Sequence, residues 1–156
     1  MTGREIEMAI DMCNDILTHL ENAHGYLASA RRWGIFDILG GQLLATAGKH
    51  EQMAKAQREL NLATEGFYSL RRNIKYYENL QEFNVGANDM NIAFDYLFDN
   101  PITDIMTQNR IKKTTKSVED AIAQMHVIIE DLYLQESEIA EDIEKKIEEM
   151  RQTGQR

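Results

Sequence analysis

Residues 4–32 read REIEMAIDMCNDILTHLENAHGYLASARR, and this stretch decides the fold. Apolar side chains recur in it every seven residues: Ile6, Cys13, Leu20 and Leu27. A second, mostly alanine and isoleucine series follows the first at a distance of about three residues, so both series lie on one face of an α-helix. The stretch therefore predicts a first long helix, interrupted at Trp33-Gly34.

The same spacing returns twice further along the chain. A series beyond Gly48 predicts a second helix that reaches about Phe83, and Gly66 inside it indicates the close approach of another helix. A longer series predicts a helix from Thr103 to Met150, just after the only proline of the chain. Asn88 or Asp89 can cap a short helix between these two. We therefore predict an all-α fold, an antiparallel, coiled-coil-like helical bundle of three long helices and one short helix.

The last helix is too long for its neighbours to cover. At the helical rise its 48 residues span about 70 Å, against about 40 Å for the first helix and 60 Å for the second. We predict one domain over residues 1–156, in which residues 135–156 form a protruding acidic helical end with a frayed tail from Arg151. The uncovered seam would pair with another chain, unless the helix bends or frays, and its members are Ile139, Ile143, Ile147 and Met150.

Composition excludes several classes of protein. The chain has 17 Lys and Arg against 26 Asp and Glu, and a net charge of -9 opposes general binding of nucleic acid. Its single cysteine, Cys13, cannot form a disulfide within the chain and falls on the core seam of the first helix. The first thirty residues are acidic, unlike a targeting peptide, and no apolar run could span a bilayer. We expect a cytoplasmic protein.

The charge is unevenly distributed along the chain. Residues 31–75 sum to +4 and residues 102–118 to +3, whereas residues 119–156 sum to -7. The basic second helix would then lie against acidic neighbours. The alternative is a single anion-binding patch that combines two basic groups: Arg71, Arg72, Lys75, Arg110, Lys112, Lys113 and Lys116.

No motif predicts catalysis, a cofactor or a metal site. Glu21 and His24 have the Glu-x-x-His spacing of dimetal bundles, but no second pair accompanies them. The glycines of residues 41–49 are spaced wrongly for a phosphate loop. We therefore expect no cofactor and no enzymatic activity.

The stretch from Trp33 to Leu44 concentrates large apolar residues between two predicted helices. It is interpreted first as a plug that closes one end of the bundle, then as a docking surface for a protein, and last as a segment inserted into a membrane interface. Its candidate contact residues are Trp33, Ile35, Phe36 and Leu39.

Three stretches carry a resemblance to a known group of proteins. They are residues 32–41, the pair Lys49-His50 with residues 56–60, and residues 94–99. Over roughly residues 10 to 133 the chain resembles uncharacterised all-helical proteins of gut and soil bacteria, mainly Firmicutes. Pro101 and the acidic extension after Leu132 depart from that pattern, and the resemblance implies no activity and no functional residues.

The sequence thus favours a non-enzymatic helical scaffold or adaptor that acts through contacts with a protein partner or a second copy. Two alternatives stay open. One is a helical bundle that binds a small ligand or a metal ion, and the other is a peripheral membrane protein that uses the Trp33 to Leu44 segment.

Overall fold

A computed structural model of the chain describes residues 2–38, 42–76 and 108–154, and their side chains over 2–33, 47–73 and 111–154. The described residues form three helices: α1 (Gly3–Ile38), α2 (Gln42–Tyr76) and α3 (Gln108–Gly154). At the helical rise, α1 and α2 are each about 50 Å long and α3 about 70 Å. The prediction of an all-α protein is confirmed for this part of the chain.

The predicted seams form the core that these helices share. From α1, the fully buried side chains include Ile6, Cys13, Ile16, Leu20 and Leu27. The seams of α2 and α3 supply the remaining core residues: Met53, Ala56, Leu60, Ala63, Phe67, Leu70, Ile111, Val118, Ala121, Met125, Ile128, Ile129 and Leu132. Burial of these apolar side chains is the main stabilising contribution to the fold.

α1 and α2 run in opposite directions. Near the start of α1, Sδ of Met12 lies 3.5 Å from Nδ2 of Asn73, close to the end of α2. At the other end of α1, the Trp33 ring packs on Gly48 near the start of α2. Between these points Gly66 faces Ile16 so closely that a Cβ on the glycine would lie 2.8 Å from Cγ1 of Ile16. The predicted close approach at Gly66 is confirmed.

α3 also runs opposite to α1 and extends beyond its first residue. His24 lies next to Glu119, with 3.1 Å between Nε2 and Oε1. Twenty-one residues separate His24 from Gly3, and the same number after Glu119 leads to Ala140. Ile139 still packs against the core, whereas every side chain of residues 141–154 is exposed. The last turns of α3 therefore project past the beginning of α1.

Three predicted helix boundaries are wrong. α1 continues through Trp33 and Gly34 to Ile38, α2 begins at Gln42 rather than beyond Gly48, and α3 ends at Gly154 rather than at Met150. Fraying of the tail from Arg151 stays a prediction. A glycine inside a helix costs only about 1 kcal/mol, which the packing of the Trp33 ring on Gly48 can offset. The predicted short helix and the end of the second helix near Phe83 lie outside the described residues.

Among the helices described, none has the length and apolar character needed to cross a membrane.

Candidate functional site

Of the four predicted contact residues in the Trp33 to Leu44 stretch, the structure describes the side chain of Trp33 alone. Trp33 is 38% exposed, and its ring atoms would lie 2.9 Å from a Cβ placed on Gly48. The Trp33 ring therefore packs on α2 while more than a third of the residue stays exposed. The side chains of Ile35, Phe36 and Leu39 lie outside the described residues, so their role stays a prediction.

The predicted seam at the end of α3 has a half-buried part and an exposed part, and the boundary between them lies level with the start of α1. Ile139 is half-buried and packs against the core. Beyond it, Ile143, Ile147 and Met150 are 53%, 41% and 64% exposed. These four residues follow one another at spacings of four, four and three, so they form one stripe along the helix. We call them the apolar stripe.

A second candidate surface lies where the end of α1 is next to the start of α3. It is an open cleft of about 550 Å³ lined by Arg31 of α1 and by five residues of α3: Lys112, Lys113, Thr115, Lys116 and Glu119. Of the lining side chains that the structure describes, four are cationic and one is anionic. We call this surface the basic cleft, and it is a local exception on a chain whose net charge is -9.

The alternative of a single anion-binding patch is wrong for the residues that the structure describes. Arg71 and Arg72 precede Asn73, which contacts Met12 near the start of α1. The lysines of α3 share their cleft with Arg31, near the end of α1. Along the axis of α1, about 30 Å separates Met12 from Arg31. The side chains of Lys75 and Arg110 lie outside the described residues.

Arg31 is the member of the cleft that sequence reasoning missed. Its partners on α3 are about eighty residues away in the chain. Only the register between α1 and α3 brings them together, and the seven-residue spacing of the seams leaves that register undetermined. The charge of residues 102–118 was the one available signal.

The Glu-x-x-His motif does not form a site. Glu21 is exposed, and the imidazole of His24 instead contacts Glu119 on α3. His50 and His126 are exposed as well. Over the described residues, no group of three or more His, Cys, Asp or Glu side chains is arranged to hold a metal ion.

A half-buried polar contact that the sequence did not predict links α1 to α2. Nδ1 of His19 lies 2.7 Å from Oε2 of Glu59, and Nδ2 of Asn22 donates to the same oxygen at 3.4 Å. Asp15 lies on the other side of the ring, 3.8 Å from Nε2. This cluster of one histidine, one amide and two carboxylates is suited to joining the two helices.

Cys13 is a buried core residue, as its place in the seam predicts. Its side chain is fully buried, and burial raises the pKa of the thiol to about 12. Burial thus disfavours the thiolate, which is the nucleophilic form of a cysteine.

Comparisons of the chain with protein-family models, with curated proteins and with solved structures find no match in any of the three.

Proposed function

We propose that this protein is a non-enzymatic helical scaffold that binds a helix of a partner protein along the apolar stripe of α3. The proposal assumes that the whole chain folds as an antiparallel, coiled-coil-like bundle with a fourth, short helix. The single observation that carries it is the exposure of Ile143, Ile147 and Met150 on a helix that extends beyond the start of α1.

The stripe has the properties of an incomplete helix interface. It continues the buried seam of Leu132 and Ile139, so the helix keeps an apolar face after its neighbour α1 has ended. An amphipathic helix is stabilised mainly by packing of that face, and a contiguous exposed apolar stripe is characteristic of a binding surface. A partner helix with apolar residues at positions i, i+3, i+4 and i+7 would complete the seam.

The charges beside the stripe favour a basic partner. Residues 136–154 carry seven acidic side chains and three basic ones. Two copies of this end placed side by side would bring like charges together, whereas a helix flanked by Lys and Arg would meet opposite charges. We therefore propose a basic amphipathic helix as the partner, in preference to a second copy of this chain.

The test uses a designed amphipathic peptide of leucine and lysine as the probe for the full-length chain. Replacing Ile143, Ile147 and Met150 by serine removes the apolar contacts and keeps every charge. We expect this triple variant to bind the peptide at least about tenfold more weakly in calorimetric titration, because apolar anchors carry most of the binding energy of an interface. The matched control replaces Met8, Leu62 and Val127, which are exposed to a similar degree elsewhere, and should bind as the unmodified chain does.

Equal affinities of the two triple variants would contradict the proposal, because binding would then depend on charge alone. Light scattering of the unmodified chain over a range of concentrations provides a second criterion. A dimer that the stripe variant abolishes would identify a second copy as the occupant and overturn the proposed partner chemistry.

The cytoplasm is the compartment we propose, since a single buried thiol suits a reducing environment. No observation favours the membrane-binding alternative. The small-ligand alternative is supported by the basic cleft and is developed below.

A further inference from the structure

Four cationic side chains converge on one cleft at the end of the molecule opposite to the apolar stripe. Arg31 comes from the last turns of α1, and Lys112, Lys113 and Lys116 come from the first turns of α3. Like charges brought together by folding repel one another and lower the stability of the folded state. A purely structural cluster of this kind is ordinarily neutralised by carboxylates.

Carboxylates neutralise only part of this cluster. Nζ of Lys116 lies 3.4 Å from Oδ1 of Asp120, one turn further along α3. Glu119, the one acidic residue among the described residues of the lining, lies 3.1 Å from the imidazole of His24. Within the part of the chain that the structure describes, Arg31, Lys112 and Lys113 have no carboxylate oxygen within 4.0 Å.

We propose that the basic cleft binds an anion that carries two or more phosphate groups. Lysine ammonium groups act as compact charges toward phosphate oxygens, and the arginine guanidinium can donate two parallel hydrogen bonds to one phosphate. Cations that approach from two helices suit a ligand with several charged groups better than a single inorganic phosphate. The volume of about 550 Å³ lies in the range of small-molecule sites.

The lining also indicates which groups contact the ligand. Thr115 already donates its hydroxyl hydrogen to the carbonyl oxygen of Ile111 at 2.8 Å, so the donors to phosphate are the four cations. An acidic peptide is less favoured, because its carboxylates are spread along a chain, whereas the cations of the cleft lie within about two turns of α3 and one position of α1. The inference is independent of the proposed scaffold function.

The experiment titrates the full-length chain with inorganic tripolyphosphate, by calorimetry and by the fluorescence of Trp33, the only tryptophan, two residues from Arg31. The test variant is Lys112→Glu with Lys113→Glu. The matched control is Lys145→Glu with Lys146→Glu, which makes the same change of charge on an exposed part of the same helix, about 50 Å away. Circular dichroism checks that both variants keep the helix content of the unmodified chain.

We expect saturable binding with one site per chain, weakened by added salt. The test variant should lose at least about tenfold in affinity and the control less than about twofold, because only the first pair contacts the ligand. Absence of saturable binding to the unmodified chain, or equal losses in the two variants, would overturn the proposal.

Two further probes distinguish the source of the phosphate and the class of ligand. Flotation with phosphatidylcholine vesicles that contain a few per cent of phosphatidylinositol 4-phosphate, and dependence of that flotation on Lys112 and Lys113, would support a lipid headgroup as the source. Binding of tripolyphosphate without flotation would support a soluble phosphate compound. Binding of poly-glutamate in preference to tripolyphosphate would overturn the phosphate assignment in favour of an acidic peptide.

Discussion

At the scale of single residues, Gly66 determines how closely α2 can approach α1. The atom that a Cβ on Gly66 would meet is Cγ1 of Ile16, at 2.8 Å. Ile16 is fully buried and β-branched, so its χ1 angle is fixed in the helix and Cγ1 cannot move aside cheaply. The absence of a side chain at residue 66 is therefore a packing requirement rather than a consequence of backbone geometry.

Gly66→Ala is expected to destabilise the protein. Helix propensity alone would favour alanine by about 1 kcal/mol, but overpacking against Ile16 costs about 1–3 kcal/mol, so the net change lowers the free energy of unfolding. Urea denaturation followed by circular dichroism measures the difference.

Gly25→Ala is the control for the propensity effect, because a Cβ at Gly25 would meet nothing within 4 Å. It should stabilise the protein by up to about 1 kcal/mol. In an Ile16→Ala background the obstruction at Gly66 is gone, and Gly66→Ala should then become stabilising. A stabilising effect of Gly66→Ala in the unmodified background would show that α2 can move away from α1 without loss.

Residue-level features of the core could be predicted where they depend only on spacing. The burial of Cys13 follows from its place in the seam, and the tight contact at Gly66 follows from a glycine inside a helix. The contact between His19 and Glu59 could not be predicted in this way, because both residues flank their seams and meet only when the two helices have been set in register.

At the scale of helices, the contact between His19 and Glu59 is a specific polar link between α1 and α2. Both side chains are about four-fifths buried, at 23% and 18% exposure, and the atoms Nδ1 and Oε2 lie 2.7 Å apart. Asn22 adds a weaker bond to the same carboxylate oxygen. A polar contact of this kind fixes one axial alignment of two helices whose apolar seams would tolerate several.

A double-mutant cycle with His19→Ala and Glu59→Ala measures this link. We expect a coupling free energy of about 1 kcal/mol at neutral pH, typical of a hydrogen bond between partly buried groups. Equilibrium unfolding in urea of the two single variants and the double variant gives the value.

The pair of His24 and Glu119 provides the comparison. Its side chains are more exposed, and Nε2 of His24 lies 3.1 Å from Oε1 of Glu119. Its coupling should be smaller than that of His19 with Glu59. Equal couplings in the two cycles would mean that burial does not strengthen the contact between α1 and α2.

Helix boundaries were the least predictable feature at this scale. The sequence predicts helix ends at Gly34 and Gly48, but both glycines lie inside helices. Tertiary packing accounts for a glycine inside α2. The Trp33 ring of α1 packs on Gly48, and this contact needs the space that a glycine leaves. The period of the apolar residues could predict which face of each helix is buried, but not how far each helix continues.

At the scale of the whole molecule, α1 is the element that holds the described structure together. Among the described residues, backbone contacts join α1 to α2 and α1 to α3, and none joins α2 to α3. In the final turns of α3 every side chain of residues 141–154 is exposed. The three helices therefore differ in how many of their faces are covered.

The rates of amide hydrogen exchange should differ between the covered and the exposed parts of the helices. We expect the amides around Leu20 in α1 to exchange last, by global unfolding, because that segment packs on both neighbours. Amides of residues 141–154 should exchange first, since that part of α3 can unwind without exposing the core. Mass spectrometry of peptides from labelled protein measures both rates in one experiment.

Slow exchange of residues 141–154 in the isolated chain would contradict the expectation. If this protection depended on protein concentration, a second copy would be covering the apolar stripe. The segment around Val118 in the middle of α3 is the internal reference, because it belongs to the same helix and is fully buried.

The arrangement of charge over the molecule could be predicted only in part. The sequence places a net charge of +3 in residues 102–118 and of -7 in residues 119–156, and the structure places these two regions toward opposite ends of α3. Which basic residues share a surface depends on the direction and register of α1 against α3. Arg31 joins the lysines of α3, and Arg71 and Arg72 do not.

One continuous helix carries both candidate surfaces. From Lys113 to Ile147 the axis of α3 measures about 50 Å, several times the Debye length of about 8 Å at physiological ionic strength. Ions in solution therefore screen a charge bound at one end from a charge bound at the other. Two occupants would bind with independent affinities, and α3 would keep them at a fixed spacing, as a bivalent spacer does.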